Sequence, residues 1–80
     1  MLILYSTKGC HLCEMALSLL QQLNLDEHVT LIDIAFDDEL FSRYGVTIPV
    51  LQYQDSDLNW PFGPHELQDW LTKHGITYHT

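Results

Sequence analysis

The sequence predicts an α/β domain in which a four-stranded mixed sheet and three helices follow the order β-α-β-α-β-β-α. Short apolar runs of strand length alternate with segments whose apolar residues recur at helical spacing. The opening strand, helix and strand imply a parallel pair joined by a right-handed crossover. The last two strands are separated by a brief polar turn, which predicts an antiparallel hairpin. We therefore expect helices on both faces of the sheet.

The first half of the chain contains the strand–helix–strand unit. Residues 2–5 are apolar and predict a buried strand, and turn residues follow at 6–9. Apolar residues then recur at helical intervals and predict a first helix that stops at Asn24. The predicted buried face of this helix comprises Leu12, Met15, Ala16, Leu19, Leu20 and Leu23. A second strand is predicted over residues 29–34.

The middle of the chain predicts a short helix and a third strand. Acidic residues at 37–39 suit a helix start, because the helix dipole is positive there. The buried face of this helix is predicted to comprise Leu40, Phe41 and Tyr44, and Gly45 is expected to end it in a left-handed conformation. The third strand is predicted over residues 46–53, with Pro49 inside it.

The last third of the chain predicts a short strand and a final helix. A polar turn is expected at 55–57 and a fourth strand at 58–60. Gly63 and Pro64 open the last helix, since proline is tolerated in a first turn. The buried face is predicted to comprise Leu67, Trp70, Leu71 and His74, with Gly75 as the cap.

Length and composition indicate one small globular domain. The 80 residues are 46% hydrophobic, and we expect a single domain at 1–75 with a C-terminal tail at 76–80. No apolar stretch is long enough to cross a membrane, so no membrane association is expected. The first residues lack the basic lead of a signal peptide, and a cytoplasmic location is the default expectation.

The charge balance excludes one class of partner. Eleven acidic residues oppose three lysines and arginines, which gives a formal net charge of −8. A surface that binds phosphates needs the opposite balance, so we expect no nucleic-acid partner. The acidity favours neutral or basic partners instead.

The two cysteines of the chain, Cys10 and Cys13, stand at the junction between the first strand and the first helix. The unpaired N–H groups and the positive dipole end of a first helical turn favour the thiolate, which is the nucleophilic form of cysteine. Cys13 lies three residues further on the same helix face and can close a ring with Cys10. The spacing therefore predicts a nucleophile, Cys10, and a resolving thiol, Cys13. A static disulfide or a pair of inert thiols is the competing interpretation, although structural disulfides are rare in the cytosol.

Other residues near the cysteines have predicted roles in substrate binding. Lys8 is a candidate for stabilising the Cys10 thiolate or for meeting a substrate carboxylate, and a simply solvated lysine is the alternative. A zinc site is poorly supported, because tetrahedral zinc usually has four ligands and there is no second cysteine pair. We expect no metal site.

Three segments together resemble a known family. Cys10-His11-Leu12-Cys13 heads the first helix, 47–50 has the sequence Thr-Ile-Pro-Val, and Gly63 leads into the last helix. With this order of elements, the chain resembles a small glutaredoxin of the thioredoxin superfamily. His11 and Leu12 stand where typical glutaredoxins have Pro-Tyr.

The resemblance implies a thioredoxin/glutaredoxin-like fold and a site. It implies a cis peptide bond before Pro49, which faces the cysteines, and an Ile48 backbone that pairs with an extended substrate. The alternative for Pro49 is a trans proline at a sheet edge or bulge. Gly63 is implied as a further substrate-binding residue. The resemblance admits glutathione as the reductant, with no bound organic cofactor.

We hypothesise a monomeric thiol–disulfide oxidoreductase that acts on a disulfide-containing protein or a glutathione mixed disulfide through Cys10 and Cys13. Two alternatives remain open. In the first alternative, the domain is a redox-inactive binding module of the thioredoxin fold. In the second, it is an iron–sulfur carrier, since some glutaredoxins hold a cluster between two subunits through one cysteine from each and glutathione.

Overall fold

Four strands form one mixed sheet in the order β2-β1-β3-β4. The computed structural model describes residues 2–76 of the chain. In it, β1 (Leu2–Ser6) pairs in parallel with β2 (Val29–Asp33) and antiparallel with β3 (Val50–Tyr53). The last strand, β4 (Ser56–Asn59), pairs antiparallel with β3. The predicted mixed sheet, with its parallel pair and its hairpin, is confirmed.

Three α-helices complete the predicted order of elements. They are α1 (His11–Gln22), α2 (Asp38–Tyr44) and α3 (Pro64–Lys73). Single 3₁₀ turns at Asp26–His28 and Ile34–Phe36 precede β2 and α2. Within the part of the chain that the structure describes, no helix is both long enough and apolar enough to cross a membrane.

One face of the sheet packs against α1 and α3. Side chains alternate along β1, so Leu2 and Leu4 point toward these two helices. This larger core cluster comprises Leu2, Leu4, Ala16, Leu20, Leu23, Leu25, Leu51, Phe62, Leu67, Trp70 and Leu71. Its burial fixes the long axis of α1 across the sheet and so sets where the first turn of α1 lies.

The opposite face packs against α2 and the 3₁₀ turn before it. Tyr5 and Val50 point to this side and form a second cluster with Ile34 and Tyr44. The Tyr5 and Tyr44 rings stack with centroids 4.5 Å apart. Helices therefore cover both faces, as the sequence predicts.

Some predicted core positions are wrong. Leu12 and Met15 are 43% and 45% exposed, because the buried stripe of α1 passes through Cys13 rather than through these two residues. Phe41 is 57% exposed, so Tyr44 is the buried anchor of α2. Gly45 has a right-handed backbone (φ −56°) and is not the left-handed stop that we expected.

The strand boundaries also differ from those predicted. Pro49 lies outside the third strand, immediately before Val50, since proline has no N–H to donate to a ladder. The hairpin turn lies at Gln54 and Asp55, one residue earlier than predicted, so Ser56 and Asp57 belong to β4. Ile34 leaves β2 for the 3₁₀ turn.

Other predicted helix ends are confirmed. Asn24 and Gly75 both adopt positive φ (58° and 70°) just beyond α1 and α3. Pro64 occupies the first turn of α3. The backbone N–H of Ile76 donates to the Leu71 carbonyl oxygen at 2.9 Å, and Ile76 packs against the larger core cluster. The rest of the predicted tail, 77–80, lies outside the described residues.

Candidate functional site

Cys10 and Cys13 are joined by a disulfide at the N-terminus of α1. Cys10 is the N-cap residue, with an extended backbone, and the Cα atoms of the two cysteines are 5.2 Å apart. The backbone N–H of Cys13 donates a hydrogen bond to Cys10 Sγ at 3.2 Å. A sulfur therefore occupies the capping position that a serine or aspartate oxygen commonly fills.

The loop before the disulfide depends on a glycine. Gly9 adopts φ +76°, a left-handed conformation that glycine tolerates and other residues avoid. The chain then enters α1, and the N–H of Glu14 donates to the Cys10 carbonyl oxygen at 3.2 Å as the first helical bond. The left-handed Gly9 thus redirects the chain from the loop after β1 into α1, with Cys10 at the start of the helix.

The two sulfurs differ in exposure. Cys10 is half-buried, whereas Cys13 is only 5% exposed and lies on the core side of α1. An incoming molecule therefore meets Cys10 first. Cys10 is the residue that the sequence predicts as the nucleophile, and that role stays a prediction.

An open groove of about 400 Å³ lies alongside the disulfide. Its walls come from the loop after β1, from one flank of α1 and from the end of β2. The lining residues are Ser6, Thr7, Lys8, Gly9, Cys10, Cys13, Glu14, Leu17, Leu31 and Asp33. The structure thus brings Lys8 together with both cysteines.

The charged groups of this groove are mostly exposed. Glu14 Oε2 lies 3.8 Å from His11 Nδ1, and the two side chains are 77% and 82% exposed. Asp33 Oδ1 accepts a hydrogen bond from the Ala35 N–H at 2.9 Å, which fixes the carboxylate at the end of β2. Lys8 is exposed and also lines this groove.

Ile48 and Pro49 form the segment that leads into β3, and their peptide bond is cis. The Tyr44 carbonyl oxygen accepts hydrogen bonds from the N–H groups of Thr47 and Ile48, each at 3.0 Å. Tyr5 of β1 pairs with Val50 of β3. Because the two strands are antiparallel, the residue after Tyr5, Ser6, comes beside the residue before Val50, Pro49, and Ser6 lines the groove.

Gly63 belongs to a different groove. This second groove, of about 380 Å³, lies on the other flank of α1 and is lined by Met15, Ser18, Leu19, Gln22, Trp60, Phe62 and Gly63. Among the described residues, Ile48 and Pro49 line neither groove. The structure therefore gathers Lys8, Cys10 and Cys13 in one place and sets Gly63 apart from them.

A model of a glutaredoxin-like domain (DUF836) matches residues 1–72. The chain belongs to this glutaredoxin-like family. A comparison with curated proteins gives no significant match.

Solved structures share the fold of this glutaredoxin-like chain. The crystal structure of target protein XcR50 from X. campestris is 35% identical, with 91% of this chain and 97% of that chain covered and a TM-score of 0.83. Its solution structure gives 36% identity, coverage of 90% and 92%, and a TM-score of 0.79. Protein Ne2328 from Nitrosomonas europaea is 26% identical, with 86% and 87% covered and a TM-score of 0.71. Family, fold and the Cys10–Cys13 pair together indicate a thiol redox role.

Sequence reasoning missed several residues that line the groove of this glutaredoxin-like protein. Ser6 and Asp33 are partners in the parallel register, so the ends of β1 and β2 bring Asp33 to the same edge as the cysteines. Leu17 follows Cys13 by four residues, one helical turn. The helical spacing of Leu17 was visible in the sequence, whereas the register that brings Asp33 to the groove comes from the structure. Over residues 2–76, no group of three or more His, Cys, Asp or Glu side chains is placed to hold a metal ion.

Proposed function

We propose that this glutaredoxin-like protein is a thiol–disulfide oxidoreductase that works by dithiol exchange. One observation supports this proposal above the others. Cys10 caps α1 and accepts a hydrogen bond from the Cys13 N–H, while Cys13 is close enough for the two sulfurs to form a disulfide. A half-buried sulfur at a helix N-terminus, beside an open groove, has the environment of a reactive thiol.

In the proposed reaction, the Cys10 thiolate attacks one sulfur of a substrate disulfide. The substrate S–S bond breaks, its other sulfur leaves as a thiolate that takes a proton from water, and a mixed disulfide forms on Cys10. Cys13 then loses its proton and attacks Cys10 Sγ. The second substrate thiol departs, and two electrons have passed from the cysteine pair to the substrate.

The proposed contacts with substrate involve four residues around the disulfide. Lys8 borders the groove and would meet a carboxylate or help to hold the Cys10 thiolate. Ile48 and Pro49 would contact an extended substrate. Because the Ile48 N–H already donates to the Tyr44 carbonyl oxygen, such a substrate would pair with the Ile48 carbonyl. Gly63, which caps α3, would contact only a substrate long enough to cross the first turn of α1.

The oxidised pair needs a separate reductant. Either glutathione or a dithiol protein would attack the Cys10–Cys13 disulfide and return it to two thiols. No bound organic cofactor takes part in these steps. The protein therefore acts as a carrier of two electrons between a thiol donor and a disulfide acceptor.

A single-turnover assay tests the proposal. The reduced protein is mixed with a peptide disulfide, and the released thiols are counted. We expect Cys10→Ser to abolish thiol release, and Cys13→Ser to stop at a mixed disulfide on Cys10 that mass spectrometry detects. If the folded parent protein releases no thiol from any peptide disulfide, the proposal is wrong and the domain is a binding module. Visible absorption that accompanies an anaerobically purified dimer would point to an iron–sulfur carrier instead.

A further inference from the structure

We infer, on the basis of the proposed function, that the disulfide substrate is a polypeptide with basic residues beside its reacting cysteine. Anionic disulfides, including oxidised glutathione, are expected to be poor substrates.

The groove beside the cysteines has two carboxylates and one ammonium group. Glu14 and Asp33 line it, and Lys8 is its basic residue. The Asp33 carboxylate is fixed by its hydrogen bond from the Ala35 N–H, so it is held at the groove rather than free to turn away. Leu17 and Leu31 add apolar surface to the same groove, and Leu31 is 55% exposed.

A further carboxylate lies beside Gly63, which lines the second groove. A Cβ atom placed on Gly63 would lie 3.1 Å from Glu66 Oε2, so the Glu66 carboxylate lies directly against the glycine that caps α3. Glu66 is in the first turn of α3 and is exposed. The glycine that lines the second groove therefore has a carboxylate beside it.

Lys8 is the one lysine or arginine that lines this groove, and His11 offsets Glu14 only when its imidazole is protonated. Lys and Arg number three in total, at positions 8, 43 and 73. Arg43 sits on α2, with its guanidinium carbon 5.9 Å from the centroid of the Tyr44 ring. Lys73 is in the last turn of α3, at the opposite end of that helix from Gly63.

The net negative charge of these side chains should select substrates mainly through the rate at which they associate with the groove. Clefts lined by one sign of charge change association rates by about 10–1,000-fold, and a groove with two carboxylates against one ammonium group belongs at the low end of that range. A peptide with basic residues next to its cysteine, and an apolar residue for the surface of Leu17 and Leu31, matches both properties of the groove. Oxidised glutathione has a net negative charge and would meet the two carboxylates and one ammonium group of the groove.

Three matched peptide disulfides test the inference. Each is a symmetric dimer of one short peptide, with its cysteine flanked by lysine, serine or glutamate, and oxidised glutathione is the fourth substrate. Each reaction converts one substrate disulfide into two thiols and the reduced protein into its Cys10–Cys13 disulfide. At 0.01 M ionic strength, where the Debye length is about 30 Å, we expect the lysine peptide to react at least ~10-fold faster than the glutamate peptide. At 1 M ionic strength, where the Debye length is about 3 Å, we expect the rates of the lysine and glutamate peptides to differ by less than ~2-fold.

A pair of charge variants locates the effect. Glu14→Gln with Glu66→Gln should lower the ratio of lysine-peptide to glutamate-peptide rates at low salt by about 3-fold or more. Asp26→Asn with Glu27→Gln removes the same charge from the turn before β2, at the opposite end of the sheet, and should leave the ratio nearly unchanged. Each variant is compared at the same thiol content and after its melting temperature is checked.

The outcomes separate the inference from the proposed function. Equal rates for the three peptides, a faster glutamate peptide, or an equal loss of preference in the control variant would each overturn the inference and leave the oxidoreductase intact. Failure to release thiols even from the serine peptide would overturn the proposed function, and the inference with it.

Discussion

The backbone N–H of Cys13 points at Cys10 Sγ from 3.2 Å, so the first turn of α1 places a hydrogen-bond donor on the more exposed of the two sulfurs. Cys13 has the opposite environment, because it is 5% exposed and lies against the core. Hydrogen bonds to sulfur and the helix dipole stabilise a thiolate, whereas apolar burial favours the thiol. The first turn of α1 therefore favours the thiolate at Cys10 and the thiol at Cys13.

The two single-cysteine variants should differ in reactivity. Cys13→Ser leaves Cys10 as the one thiol, and Cys10→Ser leaves Cys13, so each protein has one site for iodoacetamide. At neutral pH we expect Cys10 to be alkylated at least ~10-fold faster than Cys13, because thiols at helix N-termini ionise more readily. Alkylation in denaturant is the control, since both thiols should then react alike. Equal rates in the folded proteins would show that the helix start does not activate Cys10.

Gly9 and Gly75 form a matched pair of left-handed glycines. Their φ values are +76° and +70°, and a Cβ at either position would meet no atom within 4 Å. Gly9→Ala and Gly75→Ala should therefore each lower the free energy of unfolding by about 1 kcal/mol, through backbone strain alone. Chemical denaturation measures this loss.

The functional effect of the two glycine variants should differ. Gly9 directly precedes Cys10, whereas Gly75 follows α3. We expect only Gly9→Ala to slow thiol release from a peptide disulfide. If both variants slow it by the same factor, the slowing would follow stability rather than the geometry of the loop.

Much of the fold could be predicted because local and long-range signals agree. The helical spacing of α1, the polar turn before β4 and proline at the start of α3 each specify one element. The errors fall where a local signal is ambiguous. Helical spacing alone does not say whether Leu12 or Cys13 faces the sheet, and the sheet decides it. Glycine after α2 suggests a left-handed stop, yet Gly45 keeps a helical backbone while its N–H donates to the Phe41 carbonyl oxygen at 2.8 Å.

The site could be predicted only in part, for a similar reason. The cysteines are neighbours in sequence, so their spacing was enough to pair them. Asp33 reaches the groove through the parallel register of β2 with β1, and Glu66 reaches Gly63 through the first turn of α3. Two charged residues from distant segments can be placed together only when the strand register or the orientation of the helix is known.

Gln52 connects two tyrosines on the α2 face of the sheet. Tyr5 donates its hydroxyl hydrogen to Gln52 Oε1 at 2.9 Å, and Gln52 Nε2 donates to Tyr44 Oη at 3.3 Å and to Asp57 Oδ1 at 3.1 Å. We expect Gln52→Leu to lower the free energy of unfolding by about 1–3 kcal/mol, because the half-buried hydroxyls lose a partner.

A double-mutant cycle isolates the Tyr5–Gln52 bond. Tyr5→Phe and Gln52→Leu should show a coupling energy of about 1 kcal/mol in denaturant unfolding. Tyr53→Phe with Gln52→Leu is the control, since Tyr53 packs on the opposite face of β3; these two changes should add within about 0.5 kcal/mol. A coupling near zero for the first pair would mean that the bond adds nothing to stability.

Tyr5 should also make the protein sensitive to alkali. Burial raises the pKa of Tyr5 above its ordinary value of 10.0, and the neighbouring Tyr44 and Asp57 raise it further, while Arg43 acts in the opposite direction. Above pH 10.0 the unfolded chain has lost the Tyr5 proton that the folded protein still holds. The unfolded state then binds fewer protons, so the free energy of unfolding falls as the pH rises until the folded Tyr5 also ionises. Below pH 10.0 this residue adds no pH dependence.

The slope of stability against pH, rather than stability itself, tests this expectation. Tyr5→Phe loses the hydrogen bond to Gln52 and is therefore less stable at every pH, but its unfolding free energy should fall less steeply above pH 10.0 than that of the parent protein. Urea unfolding across this alkaline range measures both slopes. Parallel curves for the parent protein and Tyr5→Phe would show that folding does not hold the Tyr5 proton more tightly.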